Sequence, residues 1–575
     1  MNEDRLSHII KAALSGDSTL VVKNANVVNV FTKEIMHADV AVYDDTIIGV
    51  GSFSGKNEYD AHGAYLCPGF IDAHVHIESS MVTPASFSDI VLEHGTCAVI
   101  ADPHEIANVF GAAGVRAMRS LSDGVPLDIR FMTPSCVPAT KLETSGASLS
   151  AEDMAQLIAQ GVTAGLGEVM DFGAVARCEP DMLKKLSLFD GKIVDGHAPM
   201  MSGLMLNAYR AAGPATDHEF STFGEFIEKL RVGMYMLLRV GSAANDIGAI
   251  LTRIARDKLP TDRLMFCTDD KHIEHIMREG HINAIARLAV KCGISPVDAV
   301  CMASCNAARA YGINDMGAIA PGYRATMVLF DDLEEFSVRD VFVSGKPYKR
   351  PAHAAAPRCF AEIPQFYDSV RYAPLTAESF SLFTDEYADV IKLKDGTLVT
   401  ELVKRRVNTE NGVYMPTARL NKLAVIERHR ATGSMSVALV EGFGLAGGAI
   451  ASSVGHDSHN IIVVGDNDSD MLAAVDALKT CGGGYCAVRG GKTAAILALP
   501  IAGLMTDAPI SQVIQRQHEL LNAAKLMGAY GASDPLITLS FLALPVIPRV
   551  RLTDIGLFDA AEQRFIYVGN GRKKQ

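Results

Sequence analysis

The sequence has no tryptophan, no low-complexity tract and no CxxC pair among its eleven cysteines. Those cysteines lack the density of a disulfide framework, so they read as reduced thiols of a cytoplasmic protein. Long hydrophobic runs are also missing. The most apolar later stretch, AAILALPIAGLM (494–505), is short and contains Pro500, and it reads as a buried segment, not a membrane span. The opening MNEDRLSHIIKAALSGDS carries acids early and no uninterrupted apolar core, so it does not read as a signal peptide. Basic charge is in deficit, with 53 Lys and Arg against 66 Asp and Glu and a net charge of −13. That balance argues against a nucleic-acid backbone or an anionic membrane as partner and leaves a small neutral or cationic substrate open. A phosphate-binding loop is absent too. CAVRGGKT (486–493) ends like one, but Cys486 stands where the first glycine is needed, which leaves a glycine-rich turn.

What is present is a set of histidines in unusual places. PGFIDAHVHIESSM (68–81) puts His74 and His76 two residues apart at the end of an apolar run. In a strand such residues share one face, at the separation that two ligands of one metal ion require. A lone histidine there would read as a satisfied core residue, whereas the pair reads as a metal site.

At 575 residues, two to four domains are expected. Residues 20–50 are short β-branched runs broken by Asn, Asp and Gly, and a matching run returns at 317–348. Both read as antiparallel strands. Between them, eight apolar segments ending in polar residues alternate with helical stretches, over the length of a (β/α)8 barrel. The strand ends carry His74, His76, His104, Glu105, Glu168, His197, His218, Asp269 and Asp270. Chemistry in such barrels collects at those ends. The reading is therefore an α/β chain with a (β/α)8 metallo-hydrolase barrel at 67–316. A small β-domain is split between 1–66 and 317–365, and an additional α+β domain occupies 366–575.

The order His-x-His, carboxylate, His, His, Asp on strands 1, 4, 5, 6 and 8 resembles the amidohydrolase superfamily. The fragments PGFIDAHVHIESSM, ADPHEIANV, GEVMDF, DGHAP, TDHE, CTDD and SVGHDSHNIIVVG resemble, in order, signatures of the bacterial adenine deaminase family. One departure is LLRVGSAA, where Val240 stands at the position expected to carry Glu. The resemblance implies a homo-oligomer, in the first instance a dimer, whose partner is adenine. It also implies two divalent ions, Mn before Fe or Zn. His74, His76 and Asp269 would hold one, His197 and His218 the other, and Glu168 would bridge them. A hydroxide shared by the ions would attack C6 of adenine, with Asp269 as general base. His104 and Glu105 would serve the purine ring, unless PHE merely starts a helix. Glu78, Ser79, Arg239 and Ser242 are candidate substrate contacts. Asp270 either supports a ligand or caps a helix. His456, Asp457 and His459 of GHDSHN reach the barrel mouth, form another metal site, or cap a turn. The competing readings are another amidohydrolase acting on a cyclic amide or N-acyl group, and a non-enzymatic metal-binding protein.

Overall fold

The computed structural model describes residues 3–242, 247–350, 364–394, 397–417, 419–529 and 534–571. Eight parallel strands form the barrel. They are β1 (Phe70–Val75), β2 (Thr96–Ala101), β3 (Asp128–Phe131), β4 (Leu166–Val169), β5 (Val194–Gly196), β6 (Thr216–Asp217), β7 (Tyr235–Arg239) and β8 (Leu264–Cys267). All of β1 and β2 is buried, because helices cover the outside and side chains fill the inside; hence their near-continuous apolar runs. β6, the weakest in sequence, is two residues long.

The ring closes where β8 meets β1. The Asp269 N–H donates to the His74 carbonyl at 2.9 Å, and the His76 N–H donates to the Asp269 carbonyl at 3.2 Å. Asp72 reinforces this seam from within. Its carboxylate accepts the Thr268 N–H at 3.1 Å, the Thr268 hydroxyl at 2.5 Å and the His74 N–H at 3.2 Å.

A second sheet joins the segments on either side of the barrel. Leu20–Asn29, Glu34–Tyr43, Thr46–Gly51 and Tyr65–Pro68 precede the barrel, and Met327–Phe330 returns to pair antiparallel with Tyr65–Pro68. Part of the Pro- and Ala-rich connector that follows lies outside the described residues.

The tail is built on an eight-stranded sheet with the helices Asp468–Cys481 and Ile510–Leu526 packed beside it. The glycine-rich turn lies there, between strands Gly484–Arg489 and Lys492–Ala498. Gly490 and Gly491 have φ of 58° and 71°, the left-handed conformations that a tight hairpin turn favours. Their N–H groups point at the chain's own Asp470, at 3.0 and 2.6 Å, so a carboxylate of the protein takes the place a phosphate would need. No helix among the described residues is long and apolar enough to cross a membrane.

The tail is fastened to the barrel at the C-terminal ends of its strands. The Thr144 N–H and hydroxyl donate to the two oxygens of Asp554 at 2.8 and 2.7 Å. Asn460 Nδ2 donates to the Thr144 carbonyl at 2.8 Å, and Gln517 Nε2 to His272 Nδ1 at 2.9 Å. Asp470→Ala, which strips two N–H groups of their charged partner, should lower stability by about 2 kcal/mol in urea unfolding. Bound metal should be unchanged; unaltered stability would contradict the hairpin's dependence on Asp470.

Candidate active site

Glu168, at the end of β4, is 3% exposed and lies among four imidazoles. Its Oε2 is 2.8 Å from His197 Nδ1 and 3.2 Å from His218 Nε2. Its Oε1 is 3.4 Å from both His76 Nε2 and His104 Nδ1. His74 and His76 bring their Nε2 atoms to 3.2 Å from each other, and Asp269 Oδ1 lies 3.4 and 3.1 Å from them. His76 Nδ1 is 2.8 Å from the Asp102 carbonyl, so it carries the proton and leaves Nε2 as a lone pair facing the centre.

These spacings suit metal binding. Ligands about 2.1 Å from an ion stand about 3.0 Å apart in an octahedral arrangement and about 3.4 Å apart in a tetrahedral one. The triads His74–His76–Asp269 and His74–Glu168–His218 each place their donor atoms within 4.8 Å of one another. The donors are nitrogen and oxygen with no thiolate, a set that suits Mn, Fe or Zn.

Burial opposes charge on Asp269, yet the Arg239 guanidinium and the His74 and His76 rings hold its carboxyl well below the usual range. Glu168 is held down against burial by His197, His218 and His76. Arg239 Nη1 donates to Asp269 Oδ2 at 2.7 Å and also to Glu219, so it braces the Asp269 carboxylate, and Arg239 itself lines the cleft beside this cluster. Glu219 was missed in the sequence reading, although it is the last letter of TDHE; it groups with His197 and His218. Lys229 was missed as well. Buried on the helix Phe223–Arg231, it binds Asp217 at 2.9 Å and the Ala198 carbonyl at 2.6 Å, fixing the loops that bear His197 and His218.

A cleft of about 460 Å³ opens beside this cluster. His76, His104, Glu105, Glu168, His197, His218, Asp269 and Asp270 line it, together with His456 and Asp457 of the tail. His104 and Glu105 do begin a helix, but Pro103 holds the cap position and no side chain caps it. Glu105 is instead gripped by the tail: Oε1 is 2.7 Å from His456 Nδ1, and Oε2 contacts His459 Nε2. Burial opposes its charge, but His456, His459 and His104 pull its carboxyl well below the usual range. Against burial, Glu105 and Asp270 in turn raise His456 to about 9.

Four expected substrate contacts do not line this cleft. Glu78 accepts the Ile106 N–H at 3.2 Å, and the Ser79 hydroxyl donates to Asp270 Oδ1 at 2.5 Å. Ser242 Oγ pairs with His275 Nδ1 at 2.6 Å, and His459 is wholly enclosed behind Glu105. Asp270 does line the cleft; the cap of the next helix is His272. Val240 is half-buried and packs against the hydrophobic core.

Residues 65–348, the barrel with its flanking strands, match the amidohydrolase family, and residues 397–564 match the adenine deaminase C-terminal domain. The chain is 42% identical over 568 residues to the adenine deaminase of Desulfitobacterium hafniense, covering 98% of this chain and 99% of that one. It is 44% identical over 566 residues to the adenine deaminase of Clostridium acetobutylicum, covering 97% and 99%. For the adenine deaminase of Nitratidesulfovibrio vulgaris the identity is 46% over 557 residues, covering 96% of each. The chain belongs to the adenine deaminase family.

Glu168→Gln keeps the size of the side chain and removes its charge. Metal analysis of the purified variant should show less bound divalent metal per chain than the unaltered protein; an unchanged metal content would remove Glu168 from the site.

Proposed function

We propose that the chain hydrolyses adenine to hypoxanthine and ammonia in this cleft. The observation that carries the reading is likeness to adenine deaminases along nearly the whole chain, tail included. The cleft's chemistry supports it. His74, His76 and Asp269 would hold one divalent ion, His197 and His218 a second, and Glu168 would lie between them; Mn is favoured, with Fe or Zn as alternatives. Such ions lower the pKa of a bound water from 15.7 to about 7 and so supply a nucleophile at neutral pH.

Asp269 is the general base. Its Oδ1 faces the histidine pair, and Arg239 holds its other oxygen. It takes a proton from the attacking water as oxygen adds to C6, then passes that proton to the amino group, which leaves as ammonia. Glu105 and the His456 imidazolium form the acid pair for the purine ring, giving a hydrogen-bonded proton to a ring nitrogen, which hypoxanthine keeps; the proton lost from the C6 hydroxyl as the carbonyl forms restores the pair. His459 holds the far oxygen of Glu105 and so fixes the aim of the pair. Leu398, Val399, Phe541, Leu544 and Val546 give the tail side of the cleft an apolar wall for a flat base. The ten described cysteines are free thiols, which supports a cytoplasmic setting.

The direct test is incubation of the metal-loaded protein with adenine, following hypoxanthine and ammonia together. Equimolar formation is expected, and turnover of a cyclic amide without turnover of adenine would overturn the reading. Glu105→Gln should retain metal and lower kcat by about 10²- to 10⁴-fold. His456 is protonated below about 9, so the wild-type kcat should fall as pH rises through that value. A kcat that stays level to pH 10 would remove His456 from the acid pair.

A further inference from the structure

Behind the cleft, at the seam between barrel and tail, lies a second cavity of about 20 Å³. Asp270, His456 and Phe541 line both spaces and form the partition between them. The volume suits one water-sized molecule and excludes a purine. The barrel contributes two carboxylates, Glu78 and Asp270. The tail contributes the hydroxyls of Tyr485 and Ser540, 3.3 Å apart. Asp270 has Ser79 on Oδ1. Glu78 is 3% exposed; its Oε1 accepts one backbone N–H, and its Oε2 has no hydrogen-bond partner.

A buried carboxylate oxygen without a donor is costly, and the cost falls when a cation with N–H groups stands beside it. His456, which Glu105 and Asp270 keep protonated, stands in the partition, so Asp270 already faces a cation and Glu78 is the carboxylate left with only one backbone N–H. Water offers two donors and no charge. Ammonium has the same size, four donors and the charge that Glu78 calls for. We propose that this chamber binds the ammonium ion produced by the reaction, with Glu78 as its anionic partner and Asp270 and the Ser540 and Tyr485 hydroxyls as further acceptors. The proposal rests on the deamination reading, since that reaction releases ammonia on the other side of the partition. Because the chamber is separate from the purine cleft, ammonium and adenine occupy the protein together.

The test uses the full-length, metal-loaded protein and initial rates of hypoxanthine formation at several adenine concentrations. Ammonium chloride is compared with sodium chloride and with tetramethylammonium chloride, whose cation is too large for the chamber, at equal ionic strength. Ammonium alone should lower kcat and leave KM unchanged. Ser540→Val fills the chamber from the tail side; it should keep the rate without ammonium and weaken ammonium inhibition by about tenfold or more. Inhibition that is competitive with adenine, equal for all three salts, or unchanged in Ser540→Val would overturn the proposal. Should the valine variant fail to fold, Ser540→Ala decides the matter, with weakened inhibition expected and unchanged inhibition contradicting. Should the wild type fail to deaminate adenine, the functional reading falls by itself. Titration of the folded protein with ¹⁵N-ammonium, followed by NMR, then decides the chamber: a bound signal lost in the Ser540 variant supports it, and no bound signal overturns it.

Discussion

A buried carboxylate cannot remain ionised without partners, and Glu168 imposes that condition on half the barrel. Imidazoles from the ends of β1, β2, β5 and β6 converge on its two oxygens. The backbone beneath it is fixed in turn: the Glu168 N–H donates to Asp102 Oδ2 at 3.0 Å. Gly167, just before it, must be glycine, since a Cβ there would stand 2.1 Å from Asp102 Oδ2. The barrel's closure supplies the remaining member. Asp269 bonds to β1 through its backbone, so its carboxylate comes to rest between the two histidines of the HVH run.

The tail has a chemical place in this arrangement as well as a structural one. Glu105 comes from the barrel, yet both its oxygens are met by tail histidines. The backbone that carries those histidines is held by Arg428, wholly buried, whose guanidinium donates to the Ser369 and Ala502 carbonyls at 2.8 and 3.0 Å and also to the His459 carbonyl. Burial without a strong ion pair pushes Arg428 down to about 9. Such a group stabilises the fold only while every carbonyl around it stays in place, which makes it a rigid base for the motif.

Much of this was legible in the sequence because it depends on local rules. His74 and His76 share a strand face by the period of two, and the eight strand ends announce themselves as polar residues after apolar runs. The parts that were not legible depend on meetings between distant segments. The i, i+3 spacing of His456 and His459 gives no hint that both reach Glu105. Nothing near Lys229 marks it as the cation between the loops of His197 and His218, because Asp217 and the Ala198 carbonyl lie on other elements. Ser79, Ser242 and Glu78 looked available for substrate, and only the packing shows that their polar atoms are engaged elsewhere or face the small chamber. Val240 departs from the expected pattern at a half-buried position that packs against the core, between Arg239 and Gly241 of the cleft wall.

In the proposed centre Glu168 would stand between two ions. The most direct measurement is an anomalous-difference map from crystals of the protein loaded with Mn²⁺. Two peaks about 3.5 to 4 Å apart are expected on either side of Glu168, one beside His74, His76 and Asp269 and the other beside His197 and His218. A single peak, or two peaks that do not share Glu168, would contradict it.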